Sequence, residues 1–89
     1  RGFRLWEYGT GDTMRIRTAA GLRRIQPGLF ELTADGDVTV GLKAAGMEIS
    51  TDRTTWQPLK GQTVDGRFEA AVTTAHLLAG KGRVYLRTP

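Results

Sequence analysis

The chain has no cysteine, a single histidine (His76), a single serine (Ser50) and 3 prolines among its 89 residues. Without cysteine, disulfides and thiolate metal sites are excluded, while the cellular compartment stays open. One histidine and one serine leave little material for nucleophilic or metal chemistry. No apolar run approaches the ~20 residues that a membrane-spanning helix needs, and no repeat or low-complexity segment interrupts the chain. What remains is 13 basic against 9 acidic residues, a net charge of +4, 12 glycines and an apolar content of 39%. That content is modest but too high for a disordered segment, and the charge is too low for a polyionic tail. The length suits one domain, spanning residues 1–89, near the lower limit for a self-sufficient core. The chain begins at Arg1 with neither an initiator Met nor a signal-like apolar stretch and stops at Pro89 just after a strand pattern. A module cut from a longer polypeptide is expected, a cleaved presequence being equally compatible.

Apolar residues recur with a period of two. Phe3 and Leu5 alternate with Arg4, Trp6 and Tyr8, and Met14 and Ile16 with Arg15 and Arg17. The same pattern covers Phe30–Leu32, Val38–Leu42, Met47–Ile49, Phe68–Val72 and Val84–Leu86. Each predicts a strand with one buried and one wet face. Turn signals separate them at Gly9–Asp12, Ala20-Gly21, Pro27-Gly28, Asp35–Asp37, Ala45-Gly46, Asp65-Gly66 and Gly80–Gly82. Thr74–Ala79 reads as one helical turn, with Leu77 or Leu78 plugging an end of the core. The expected fold is all-β, a two-sheet antiparallel β-sandwich of about seven or eight strands. A small barrel of about five or six strands is the competing closure.

The carboxylates are scattered. The aspartates fall in turns, where they bond the local backbone, and the glutamates on wet strand faces. His76 reads as a surface or capping residue. No activated pair emerges, so no catalytic residue and no cofactor is expected, and the chain is not expected to be an enzyme by itself. Asp35-Gly36-Asp37 offers two carboxylates, whereas Ca²⁺ takes about six to eight oxygen ligands. A type I′ hairpin turn is the preferred reading there, and no metal is expected. Arg23-Arg24 is placed in a loop.

The best functional signal is the wet face of the terminal strands. Arg4, Trp6 and Tyr8 on the first strand, Arg15 and Arg17 on the second, and Arg83, Tyr85 and Arg87 on the last would form one patch, provided the first and last strands are neighbours. Aromatic rings give platforms for sugar rings or bases, and arginine forks bind carboxylate, sulfate or phosphate. Such a patch suits an anionic polysaccharide. The same alternation is also ordinary sheet surface, with arginine stems covering rings. Nucleic acid is disfavoured as a partner because Glu7, Glu31, Glu48 and Glu69 dilute any basic stripe.

Ser50, Asp52, Thr55 and Trp56 resemble the Asp box of bacterial sialidases, Ser-x-Asp-x-Gly-x-Thr-Trp, with one residue fewer and no glycine. More widely, Ser50, Asp52, Trp56 and Leu59, then Gly66, Phe68 and Val72, then Leu77-Leu78 and Val84–Arg87 resemble immunoglobulin-like or fibronectin-III-like accessory domains of secreted bacterial polysaccharide-active enzymes. The resemblance implies a secreted, non-catalytic module, in its most specific form a carbohydrate-binding one, with polysaccharide or an adjacent domain as partner and no membrane contact. A structural spacer or assembly domain is the alternative, with a small nucleic-acid-binding barrel behind it.

Overall fold

Alternating side chains need two environments, and the fold supplies them with two sheets around one core. A computed structural model describes the backbone of residues 3–6 and 13–15 and, with side chains, residues 20–89. The strands are β1 (Phe3–Trp6), β2 (Thr13–Arg15), β3 (Ala20–Gln26), β4 (Leu29–Ala34), β5 (Val38–Leu42), β6 (Glu48–Ser50), β7 (Gln57–Pro58), β8 (Gly61–Val64), β9 (Arg67–Val72) and β10 (Arg83–Arg87), with one helix, α1 (Thr74–Ala79), before the last. One sheet has four strands in the order β1-β5-β9-β8, the other six in the order β2-β3-β4-β10-β6-β7. Among the described residues every pairing is antiparallel except that of β1, which runs parallel to β5. The fold is all-β, but not antiparallel throughout.

Inward residues of both sheets join in one hydrophobic cluster. Val38, Val40, Leu42, Ala70 and Val72 come from the four-stranded sheet; Leu22, Phe30, Leu32, Ile49, Val84 and Leu86 come from the six-stranded one. Full burial of an aliphatic side chain of this size stabilises by roughly 1.5–3 kcal/mol, so the apolar alternation is the main source of stability. Leu77 of α1 is 3% exposed and closes the cluster, whereas Leu78 is 74% exposed. Of the two leucines, the first is the plug.

Three local expectations change. Ala20-Gly21 is not a turn and Arg23-Arg24 is not in a loop: all four lie in β3, where pairing with β4 satisfies the backbone and overrides the turn preference of the glycine. Asp35–Asp37 is not a hairpin turn, because β4 and β5 belong to different sheets and the segment carries the chain between them. The Asp37 carboxylate instead reaches α1, accepting the Thr74 N–H at 2.7 Å and the Thr74 hydroxyl at 2.9 Å. It serves an otherwise unpaired donor of the first helical turn. Asp65-Gly66 does form a hairpin turn, joining β8 to β9 with φ of 52° and 80°, the pair of positive angles that a type I′ turn requires.

Because Leu86 is fully buried, Leu86→Ala is expected to cost about 2–5 kcal/mol in urea unfolding, against about 0.5 kcal/mol or less for Leu78→Ala. Equal costs would place the core elsewhere.

Candidate functional site

Strand β10 lies between β4 and β6, and its period sets what faces out. With Val84 and Leu86 at 0% exposure, Arg83, Tyr85 and Arg87 must point away from the core. Register fills in their neighbours. Tyr85 stands opposite Glu31 and Ser50, Arg87 opposite Leu29 and Glu48, and Arg83 opposite Thr33, while Glu31 stands opposite Arg23. Arg23 donates from Nε at 3.2 Å and Nη2 at 3.1 Å to Glu31 Oε1, and Arg83 Nε lies 3.4 Å from Glu31 Oε2. Arg87 Nε donates to Glu48 Oε1 at 2.6 Å. Such exposed pairs add little to stability, with a median of about 0–1 kcal/mol. Their effect is to orient the guanidiniums.

The segment between β6 and β7 places two more groups on this face. Ser50 is 4% exposed. Its Oγ donates to Asp52 Oδ1 at 2.9 Å and accepts the N–H groups of Asp52 at 3.1 Å and Arg53 at 2.8 Å. Asp52 Oδ1 in turn accepts the N–H groups of Thr54 at 2.8 Å and Thr55 at 2.9 Å. These donors, Thr55 first and then Thr54 and the Ser50 hydroxyl, hold the Asp52 carboxyl below the ordinary aspartate range. Within the turn Arg53 adopts a φ of 64°, a left-handed conformation that costs a non-glycine residue roughly 1 kcal/mol or more. The Arg53 guanidinium carbon lies 5.1 Å from the centroid of the Tyr85 ring, and that of Arg87 lies 4.3 Å from the Trp56 ring. Both are cation–π distances.

Two shallow grooves open beside these groups, one lined by Tyr85 and the other by Arg53. One, about 490 Å³, lies between Thr33, Thr51, Lys81, Arg83 and Tyr85; the other, about 380 Å³, lies beside the Pro27-Gly28 turn with Arg53, Trp56, Arg87 and Thr88. Each carries two cations.

The chain matches no protein-family model, no curated protein and no solved structure. Its own geometry has to carry any functional reading.

Of the expected patch, three residues lie among those described with side chains. Arg83, Tyr85 and Arg87 share the outer face of the six-stranded sheet. The backbones of Arg4 and Trp6 pair with Thr39 and Gly41 in the other sheet, so the first and last strands are not neighbours. Arg15 lies on β2, three strands from β10 in the same sheet, with its backbone opposite Gly21. The side chains of Arg4, Trp6 and Arg15, and Tyr8 and Arg17 altogether, lie outside the described residues. Among the described residues the face also holds Trp56 and Arg53, brought in by the Ser50–Asp52 turn, and Arg23, brought in by β3. Pro27-Gly28 is a hairpin signal that folds the Arg23-Arg24 pair back toward Glu31, but it does not tell which of the two stands opposite it.

His76 caps its own helix: its Nδ1 accepts the Thr73 N–H at 3.1 Å, with the Thr73 hydroxyl at 3.1 Å. Among the described residues no cluster of three or more histidine or carboxylate side chains has the spacing to hold a metal ion.

The Asp37 carboxyl is also held below the ordinary range, first by the Thr74 hydroxyl and then by the Thr74 N–H. A carboxyl whose folded-state pKa lies below its unfolded one stabilises the fold above the unfolded value, and that contribution disappears as pH falls through the folded one. The midpoint of thermal unfolding should therefore fall in acid through and below the aspartate range. Asp37→Asn combined with Asp52→Asn should flatten that limb, and superimposable curves would assign the acid sensitivity to other groups.

Proposed function

We propose that the chain is a non-catalytic module of a secreted protein, built as a two-sheet sandwich, whose six-stranded outer face binds an acidic polysaccharide. One observation carries the reading: two grooves, each with a pair of cations, meet β10 at different points, one at Arg83 and Tyr85 and the other at Arg87. Arg83 and Arg87 are four residues apart, about 13 Å along an extended strand. That spacing suits an extended polyanion better than a compact small molecule. Five cations (Arg23, Arg53, Lys81, Arg83 and Arg87) stand against three carboxylates (Glu31, Glu48 and Asp52), so the face keeps a basic excess. Arginines already held by carboxylates and rings lose less side-chain freedom when a ligand binds, which lowers the cost of association.

A second reading has its own support. The Tyr85 and Trp56 rings each have an arginine packed over one face from within the chain. That is what a plain sheet surface would show, and it suits a spacer that props neighbouring domains and has no ligand of its own.

Affinity electrophoresis separates the two. Gels containing polygalacturonate or a sulfated polysaccharide should retard the chain, and gels containing a neutral glucan should not. The effect should weaken with salt, and Arg83→Ala with Arg87→Ala should lower the affinity about tenfold or more, roughly 1.4 kcal/mol. No retardation in either acidic gel, with the fold intact by circular dichroism, would favour the spacer.

A further inference from the structure

We infer that the groove beside the Pro27-Gly28 turn is the subsite that seats the charged group of one sugar unit, a carboxylate or a sulfate, between Arg53 and Arg87, an inference that rests on the acidic-polysaccharide reading. The groove holds about 380 Å³, at the small end of ligand sites and fit for a single sugar ring with its anion. Arg87 is fixed on two sides, by Glu48 at its Nε and by the Trp56 ring beneath its plane. Its terminal nitrogens are therefore presented in a set orientation, as bidentate recognition of an oxyanion requires.

Arg53 is the sharper case. The turn around it is built from the Ser50 hydroxyl, the Asp52 carboxylate and backbone N–H groups. None of these bonds uses the Arg53 side chain, and its φ of 64° is one that glycine adopts more easily. The turn's own bonds, the Arg53 N–H to Ser50 among them, set this backbone, yet the position holds an arginine where glycine would fit with less strain. Its guanidinium lies over the Tyr85 ring, and Arg53 lines the groove together with Arg87. The far wall is equally specified. Gly28, with a φ of 82°, passes so close that a Cβ there would lie 3.2 Å from Thr88 Oγ1, and the Thr88 N–H donates to the Gly28 carbonyl at 2.9 Å. The Thr88 hydroxyl and the Gln26 amide offer donors and acceptors for ring hydroxyls beside the two cations.

Arg53→Gly tests the assignment, because it relieves the backbone while removing the cation. Its thermal midpoint should equal or exceed that of the unsubstituted chain. By titration calorimetry its affinity for a trigalacturonate or for a sulfated trisaccharide should fall about tenfold, and the probe that loses more identifies the anion. Arg53→Lys should recover part of the loss. If Arg53→Gly binds both probes as well as the unsubstituted chain does, the subsite is overturned while the broader reading stands. If the unsubstituted chain binds neither, both fall. Tighter binding of a single-stranded oligonucleotide than of either trisaccharide would also overturn the assignment, in favour of nucleic acid.

Discussion

The period of two in β10 is the constraint on which the rest of the molecule depends. Val84 and Leu86 are fully excluded from water at the centre of the six-stranded sheet, and a strand cannot bury alternate side chains without expelling the ones between. The hydrophobic effect thereby sets the position of Arg83, Tyr85 and Arg87 as firmly as that of the core. A one-residue slip would bury guanidiniums and expose leucine and valine, so register and surface chemistry are one and the same specification.

A second device builds on that frame. Ser50 shares the outer face with Tyr85, yet it is buried because the following turn folds back over it. Its single hydroxyl and the Asp52 carboxylate satisfy a succession of turn N–H groups that would otherwise have to bond water. The segment is thus shaped by short-range polar bonds and not by apolar burial, and it delivers Arg53 and Trp56 to positions above the sheet. Aromatic and cationic groups from three parts of the chain, around residues 23, 53–56 and 83–87, meet there.

The strands with strong alternation were legible: β4, β5, β9 and β10 all carry it, and the single turn of helix was marked by its leucine pair. β3 was not, because Ala20-Gly21 and Arg23-Arg24 look like a turn followed by a charged loop, and only the partner strand β4 makes them a strand. Even with the Pro27-Gly28 hairpin taken as given, simple counting from Gln26 opposite Leu29 would put Arg24 across from Glu31. An irregularity between Arg24 and Gln26 shifts the register and puts Arg23 there instead. β7 and β8 are short and largely polar, so no period marks them. Asp35–Asp37 has the composition of a hairpin turn, and nothing local reveals that the chain changes sheets there.

By itself the sequence determined the all-β class, most of the strands, the inward residues of β4, β5 and β10 and the outward direction of Arg83, Tyr85 and Arg87, because these follow from alternation along one strand and need no partner. Which strands are neighbours was decided only by the tertiary structure. It put β1 parallel to β5 in one sheet and β10 in the other, so that the first and last strands are not neighbours, and it laid the Ser50–Asp52 turn across the outer face, where Arg53 and Trp56 join Tyr85 and Arg87. Sheet order and loop placement depend on contacts between residues far apart in the chain, and a two-residue period carries no information about them.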